Sequence, residues 1–393
     1  MTFGKLIFAA IIIFLAVSAS IRTDNTTIFY LSLIVNLFIA ASVIFNLDFK
    51  TFKNLPILLI FLVFVVGVTL TSSGILRQLG EYKEGYKFDG FLFLNVANLI
   101  RDGQNYKDAY STAFEEDIRF ETAPTDAWGW RLPTIFYFWS FLPNDFLVWL
   151  TFVILALLAL FSAFKMNFPG TGNLAILAPM ILAPYFFFGA TSEWFLVTEW
   201  WGLFFFIVGL LFWQIKKSKI AWILFLISVI TRELFIVPIL AYFLITVIFE
   251  RKKAVFFGSL IIIFALFLLA HFLNLSDVVN LNLASVTAKR LWGGGWQQIQ
   301  QTLAFGSANF LFINFRVFAL YALLVLIGFG LIFWRINFKI LKDLTFVSFA
   351  SFFILYLVFG TPRWHEYWGI TYIPLMFLLI PRILNFPISG KWE

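Results

Sequence analysis

The chain has 393 residues, of which 62% are hydrophobic and only 12% are charged. Soluble domains carry about 25% charged residues, so lipid must be the solvent for most of this chain. The absence of cysteine excludes disulfides, thiolate metal sites and a cysteine nucleophile, and the net charge of +7 indicates basic cytoplasmic loops rather than nucleic-acid binding.

Apolar runs long enough to cross a bilayer recur along the chain. A spanning helix needs about 20 predominantly apolar residues. Such runs lie at 4–21, 28–47, 56–73, 145–164, 174–190, 197–214, 254–272, 316–334, 343–359 and 368–385. We therefore predict an all-α polytopic membrane protein with about twelve transmembrane helices, once residues 219–249 are counted as two crossings.

Residues 219–249 form an apolar stretch that is too long for one crossing. Basic clusters at 216–219 and 251–253 flank it, and two such clusters belong on the same, cytoplasmic face. The stretch is therefore predicted to consist of two short helices that meet near Thr231-Arg232-Glu233. Both termini are then cytoplasmic, in a plasma (inner) membrane.

The first apolar run has a second interpretation. Lys5, the apolar residues after it and Val17-Ser18-Ala19 also form the pattern of a cleavable signal peptide. Cleavage would remove one crossing and leave the remaining topology unchanged.

Long polar segments divide the chain into five parts. We assign three transmembrane helices to 1–73, an extracytoplasmic loop with juxtamembrane helices to 74–144, the central transmembrane helices to 145–272, a flexible extracytoplasmic loop to 273–315 and the C-terminal transmembrane helices to 316–393. Loops of this length are uncommon and are often functional. Within the first loop, the apolar segment 128–142 is too short to span, which predicts an interfacial or re-entrant helix.

The first loop is rich in acids, most of which are expected to be solvated. They are Glu81, Glu84, Asp89, Asp102, Asp108, Glu115, Glu116, Asp117, Glu121 and Asp126. Asp89 differs from the others because it directly precedes an apolar helical stretch. An acid in that place caps a helix N-terminus, close to the membrane surface. The pattern leaves a purely capping role and a functional role open.

Several charged residues lie at or near membrane depth on the predicted outer side. They are Glu193, Glu199, Arg232, Glu233, Arg363, His365 and Glu366. Ionisable groups there are costly and tend to face a polar cavity, so their shared side favours one extracytoplasmic polar site. Interhelical pairing that serves structure alone, such as Glu199 with Arg232, is the alternative.

The second long loop carries a pair of cations beside a glycine run. Lys289 and Arg290 come just before Gly293-Gly294-Gly295. Paired cations on a pliable backbone can hold a phosphate. A flexible connector with aromatic anchors at the interface fits the same composition.

Several short motifs resemble those of the GT-C fold glycosyltransferases, which include the mannosyltransferase and aminoarabinose-transferase groups. They are Phe88-Asp89-Gly90, Ala97-Asn98-Leu99, Asp102-Gly103-Gln104-Asn105-Tyr106, Trp130-Arg131-Leu132-Pro133, Thr198-Glu199, Thr231-Arg232 with Pro238, and Arg363 with Tyr367 and Pro374. The chain departs from the family in having three crossings before the acidic loop, where one is usual, and no large soluble C-terminal domain. It also has Gly90 where the family often has a second acid.

The resemblance implies transfer of a sugar from a polyprenyl-phosphate donor to an acceptor hydroxyl on the outer face, with inversion. Expected partners are that donor, membrane lipid and an acceptor glycan, lipid or protein. The implied site comprises Asp89 as catalytic base; Arg363, Arg232, Lys289 and Arg290 as ligands of the donor phosphate; and Glu199, Arg131, Glu121 and Asp126 as substrate-orienting residues. Some family members need a divalent cation, so Mg²⁺ or Mn²⁺ held by Asp89 with Glu121 or Asp126 stays open.

Two other functions compete with this interpretation. A multi-pass transporter or lipid flippase also fits about twelve crossings, and it predicts repeated halves with interrupted helices in matching positions. No convincing repeat is present in the sequence, and the acids concentrate in one outer loop. A non-catalytic assembly subunit would leave the outer-side charges as structural pairs.

Overall fold

A computed structural model of the chain describes residues 55–71, 88–120, 122–125, 129–279, 295, 298–299, 301–302, 341–359 and 366–385. Over these residues the chain folds into α-helices and short 3₁₀-helices joined by turns, as the all-α prediction requires. The predicted spans at 4–21, 28–47 and 316–334 lie outside the described residues.

The α-helices are numbered in chain order. They are α1 (Leu55–Thr71), α2 (Asp89–Arg101), α3 (Tyr106–Glu116), α4 (Thr134–Ser140), α5 (Asp145–Thr171), α6 (Leu177–Ala190), α7 (Thr198–Gln214), α8 (Ser218–Thr231), α9 (Ile236–Phe249), α10 (Arg251–Leu275), α11 (Leu344–Val358) and α12 (Ile373–Leu384). Short 3₁₀-helices accompany them, at Gly172–Ile176, Glu193–Leu196, Glu233–Phe235 and Glu366–Thr371.

In the part of the chain that the structure describes, two helical segments are long and apolar enough to cross a membrane. They are Asp145–Ala190 and Arg251–Leu275. Shorter apolar helices lie at Ile57–Thr69, Ser218–Thr231, Glu233–Phe249, Leu344–Val358 and Ile373–Ile383. One face of α10 is apolar and exposed, with Val255 at 74% and Leu266 at 60% of full exposure. An apolar face of this size favours contact with lipid, and hence a membrane-associated protein.

The stretch 219–249 is broken where the sequence predicted. Helix α8 ends at Thr231, and α9 begins at Ile236 after a single 3₁₀ turn. Between them Arg232 adopts an extended backbone with φ −144° and ψ 109°. The prediction of two short helices is therefore confirmed, and the break places Arg232 and Glu233 at the junction.

Helix α7 packs closely against this junction. A Cβ atom on Gly202 would lie 2.8 Å from the ring of Phe235 and 3.0 Å from the Cβ of Arg232, so only glycine fits there. Nearby, the hydroxyl of Ser228 donates a hydrogen bond of 2.7 Å to the carbonyl oxygen of Gly202. Small residues allow this close approach of helix backbones. The contact fixes the position of Arg232 relative to the start of α7.

Hydrogen bonds and ion pairs between helix ends, such as Trp149 to Ala190, Gln214 to Met166 and Arg382 to Asp343, define two ends of the bundle. We call one the Asp89 end; it holds the starts of α2 and α7 and the α8–α9 junction. The other, the Arg382 end, holds the end of α7, the starts of α10 and α11 and the end of α12.

The segment 88–140 covers the Asp89 end. An ion pair of 3.2 Å between Arg101 and Asp145 attaches it to the start of α5. A second ion pair, of 2.7 Å between Lys107 and Asp277, attaches it to the residues just after α10. Within the apolar segment 128–142, the described residues contain one short α-helix, Thr134–Ser140.

Candidate functional site

Asp89 is the first residue of α2 and pairs with an arginine from the same loop segment. Nη1 of Arg119 donates a hydrogen bond of 3.0 Å to Oδ1 of Asp89. The Asp89 side chain is 46% exposed. The N-cap is Phe88, and it makes no capping hydrogen bond through its side chain. The expectation that Asp89 occupies the capping position is therefore wrong. Its carboxylate lies in the first turn of the helix and faces Arg119.

Arg119 is anchored by a second carboxylate, that of Asp117. Its Nη2 donates to Asp117 Oδ2 at 2.7 Å and its Nε to Oδ1 at 3.0 Å. Asp117 is fully buried, so the expectation of a solvated acid is wrong for this residue. Burial alone would lower the pKa of Arg119, but the hydrogen bonds with Asp117 and the charge of Asp89 raise that pKa above its ordinary value. The guanidinium therefore stays charged and holds Asp89 in place.

A chain of alternating charges runs inward from the surface at the same end. Nη1 of Arg131 lies 3.4 Å from Oε1 of Glu233, and the same Oε1 pairs with Arg232. Arg232 also contacts Glu199, with 2.6 Å between Nη2 and Oε1. Both side chains of this last pair are almost completely buried, at 1% and 2% exposure. The structure thus shows the pairing of Glu199 with Arg232.

Two buried tyrosines of α3 fix the backbone around Arg131. Tyr106 donates its hydroxyl proton to the carbonyl oxygen of Arg131, and Tyr110 donates to that of Gly129 at 2.8 Å. Burial raises the pKa of both phenols, so they remain neutral donors. Their rings also pack on Trp130, with centroids 6.0 Å and 4.6 Å away. These hydrogen bonds and ring contacts hold Arg131 at the outer end of the chain of charges.

Aromatic contacts connect the Asp89–Arg119 pair with the chain of charges that begins at Arg131. The ring of Phe88, next to Asp89, lies 4.6 Å from Trp194, which lies 6.3 Å from Tyr367. Tyr367 is within electrostatic range of Asp89, Glu199, Arg131 and Arg232. One end of the bundle therefore combines a half-exposed carboxylate with a partly exposed arginine, Arg131, and a buried ion pair behind it.

The structure describes four of the predicted site residues and brings them to one end. These are Asp89, Arg131, Glu199 and Arg232. The remaining predicted residues lie outside the described part of the chain: Glu121, Asp126, Lys289, Arg290 and Arg363.

Sequence reasoning missed Arg119 and the burial of Asp117. The only signal in the sequence was the spacing of Asp117 and Arg119, because residues two apart in a turn can share a hydrogen bond. The composition of a loop does not reveal such a bond. Glu233 was noticed as a break in the apolar run, but its pairing with Arg131, 102 positions earlier, was not predicted.

The sequence left open a metal site that includes Asp89. Within the described residues, no group of three or more His, Asp or Glu side chains lies close enough together to hold a metal ion. The neighbour that Asp89 does have is a guanidinium, and the carboxylates named with it, Glu121 and Asp126, lie outside the described segments.

Comparison with known proteins found no counterpart. No protein-family model, no curated protein and no solved structure matches the chain.

Replacing Arg119 by Gln is expected to lower the free energy of unfolding by about 1–3 kcal/mol, because Asp117 would be left as a buried carboxylate without its cation. The 28% exposure of the Arg119 side chain keeps the expected loss below that of a fully buried pair. The measurement is thermal unfolding of the purified protein in detergent.

The matched control is the double variant Arg119→Gln with Asp117→Asn, which removes both charges. It should recover part of the stability lost in Arg119→Gln. Equal stability of Arg119→Gln and the unchanged protein would mean that the pair is not needed to hold this segment.

Proposed function

We propose that the protein is an integral membrane glycosyltransferase that moves a sugar from a polyprenyl-phosphate donor to an acceptor hydroxyl. The observation that carries the proposal is the half-exposed carboxylate of Asp89 at the same end of the bundle as Arg131. A transferase of this kind needs a base for the acceptor proton and a cation for the leaving phosphate, at a surface that a lipid-linked donor can reach. The GT-C resemblance supports this assignment.

Asp89 is assigned as the catalytic base. It takes the proton of the acceptor hydroxyl while that oxygen forms a bond to the anomeric carbon of the donor sugar. The bond between the anomeric carbon and the phosphate oxygen breaks in the same step, with oxocarbenium character and inversion at that carbon. Arg119 orients the carboxylate through its hydrogen bond to Oδ1. The products are the glycosylated acceptor and polyprenyl phosphate.

Arg131 is assigned to the leaving phosphate. Burial alone would lower the pKa of Arg131, but Tyr367, Glu233 and Glu199 raise it overall, so the guanidinium is cationic at neutral pH. A partly exposed guanidinium can form two parallel hydrogen bonds with a phosphate, which is why arginine suits this task. The phosphate would replace Glu233 as the group that Arg131 faces.

Arg232 and Glu199 are assigned a positioning role. Arg232 is 1% exposed and bonded to two carboxylates, so it acts on the substrate through Glu233 and Arg131 rather than by direct contact. This differs from the role of phosphate ligand that the resemblance implied for Arg232. Lys289, Arg290 and Arg363 stay candidates for direct phosphate contact, and Glu121 and Asp126 for substrate orientation.

The proposed orientation places the Asp89 end on the extracytoplasmic side of a plasma (inner) membrane. The Arg382 end, with the basic clusters 216–219 and 251–253, is then cytoplasmic, as the positive-inside rule favours. Both termini are proposed to be cytoplasmic, in a chain that crosses the membrane about twelve times.

The test is a donor assay on the purified full chain in lipid nanodiscs. The protein is incubated with a panel of labelled polyprenyl-phosphate hexoses and pentoses and with membrane lipid extract. Transfer of label and release of polyprenyl phosphate are measured. We expect transfer from at least one donor, and a KM for that donor raised at least about tenfold in Arg131→Gln, the loss of roughly one charge-assisted contact. Lys107→Gln, which removes a cation of the same loop that pairs with Asp277, should behave as the unchanged protein.

A transporter or lipid flippase is the second candidate, and the α8–α9 junction favours it. Helices that are interrupted beside charged groups are typical of transporter binding sites. This function predicts that no donor in the panel is consumed, while labelled lipid-linked sugar moves across the bilayer of proteoliposomes. Donor consumption with no movement would reject it.

A further inference from the structure

A second polar feature lies at the Arg382 end, far from the site described above. A cavity of about 560 Å³ opens there between the end of α7 and the starts of α10 and α11. Four cationic side chains line it, together with a single carboxylate, Asp343: Lys216, Lys253, Lys342 and Arg382. Its lining does not include Asp89, Arg131, Glu199 or Arg232, the candidate site residues that the structure describes.

The carboxylates near the cavity do not neutralise these cations. Arg382 is paired with Asp343, and its Nε donates to Asn167 at 3.0 Å. Lys253 and Lys342 share one carboxylate, Glu250, at 2.5 Å and 3.6 Å. That leaves the cavity with an excess of positive charge, because two lysines share one acid.

Of the four cations that line the cavity, Lys216 is the one that has no carboxylate partner among the described residues. It is exposed, and it is the only non-glycine residue in the described chain with a positive φ, at 61°. This left-handed position just after the end of α7 is one that glycine or asparagine usually occupies. A lysine there accepts an unfavourable backbone conformation. Glycine would relieve this backbone conformation but would remove one cation from the cavity.

The start of α8 adds to the attraction for an anion. Ser218, its first residue, lines the cavity, and the N-cap of α8, Lys217, makes no capping hydrogen bond through its side chain. Helix N-termini present unpaired amide protons that favour anions. By contrast, α11 begins at the same cavity and is capped by Asp343, which accepts from the amides of Thr345 and Phe346.

We propose that this cavity binds a phosphate anion, carried in the membrane by the head group of a phospholipid with a net negative charge. The lipid source is favoured by exposed apolar residues on either side of the α9–α10 turn, whose Glu250 pairs with the cavity lysines: Ile248 is 72% exposed and Val255 is 74% exposed. An acyl chain would lie along them. Basic pockets between membrane helices on the cytoplasmic side bind anionic head groups in this way.

The proposal does not depend on the transferase activity, so it can be tested separately. Thermal unfolding of the purified full chain in detergent is followed while dioleoyl phosphatidylglycerol, dioleoyl phosphatidylcholine or sodium phosphate is added. A ligand that binds the folded protein raises its unfolding temperature. We expect phosphatidylglycerol to raise it and phosphatidylcholine to leave it unchanged.

The informative variant is Lys216→Gly, because its two effects have opposite signs. Glycine relieves the left-handed backbone, so the variant should unfold at a higher temperature than the unchanged protein when no lipid is added. It should also need about fivefold more phosphatidylglycerol for the half-maximal shift, the loss of roughly one cation near a lipid surface. Lys252→Gln, an exposed neighbour of Lys253 that does not line the cavity, should match the unchanged protein.

Three outcomes decide the matter. Equal shifts with phosphatidylglycerol and phosphatidylcholine would overturn the proposal. So would the same half-maximal concentration in Lys216→Gly and Lys252→Gln. An equal shift with sodium phosphate at the same concentration would keep the anion site and reject the lipid as its source.

Discussion

Replacing Asp89 by Asn is expected to lower the rate of sugar transfer by about 10²- to 10⁴-fold, the range that a general base contributes. The amide keeps the size and shape of the carboxylate, but it cannot take the acceptor proton. Its oxygen still accepts the hydrogen bond from Arg119, and Arg119 keeps Asp117 as its buried partner. The fold around the start of α2 should therefore survive. The measurement is label transfer from the donor that the unchanged protein uses.

The matched control for this prediction is Asp102→Asn, the same change at the other end of α2. Asp102 is exposed and lies just past the last helical residue, Arg101. It should retain full activity. The thermal unfolding temperatures of both variants should match that of the unchanged protein. If Asp89→Asn transfers sugar as fast as Asp102→Asn, Asp89 is only a favourable charge in the first turn of the helix.

Replacing Arg232 by Met is expected to lower the free energy of unfolding by about 3–5 kcal/mol, the cost of removing one partner of a buried ion pair. Arg232 and Glu199 are both nearly inaccessible to solvent, so the carboxylate of Glu199 would remain buried without a cation. Glu233 would keep only Arg131. The measurement is thermal or denaturant unfolding of the purified protein in detergent.

Two controls separate the ion pair from the volume of the side chain. The double variant Arg232→Met with Glu199→Gln removes the stranded charge and should be clearly more stable than Arg232→Met alone. Arg101→Met breaks the partly exposed pair with Asp145, whose side chains are 23% and 18% exposed, and should cost about 1 kcal/mol or less. A loss in Arg232→Met no larger than in Arg101→Met would show that the buried pair adds no more stability than the partly exposed one.

The sequence was informative where one local pattern determines the structure. The two basic clusters that flank the overlong apolar run 219–249 predicted the α8–α9 junction, because both clusters belong on the same face of the membrane. The apolar residues after Asp89 likewise predicted a helix, and α2 begins at that residue. The possible pairing of Glu199 with Arg232 was open from their charges and their common side.

Contacts between distant parts of the chain could not be read in the same way. Asp117 and Arg119 looked like ordinary loop charges, and only the folded segment shows that Asp117 is buried and that Arg119 reaches Asp89, 30 positions away. Periodicity reports which face of one element is apolar, but it carries no information about which loop residue lies over it. The cavity at the Arg382 end was missed for the same reason, since its cations come from four separate places along the chain.

The α8–α9 junction has a consequence for the surrounding bilayer. Each of these helices has 14 residues. A helix of that length rises about 21 Å, whereas the hydrocarbon core is about 30 Å thick. In the proposed orientation this hydrophobic mismatch thins the lipid beside α8 and α9 or leaves the Arg232 junction recessed below the head groups. A donor with a long prenyl chain would then approach Arg131 from the side, with its phosphate at the depth that the head groups have in the thinned lipid.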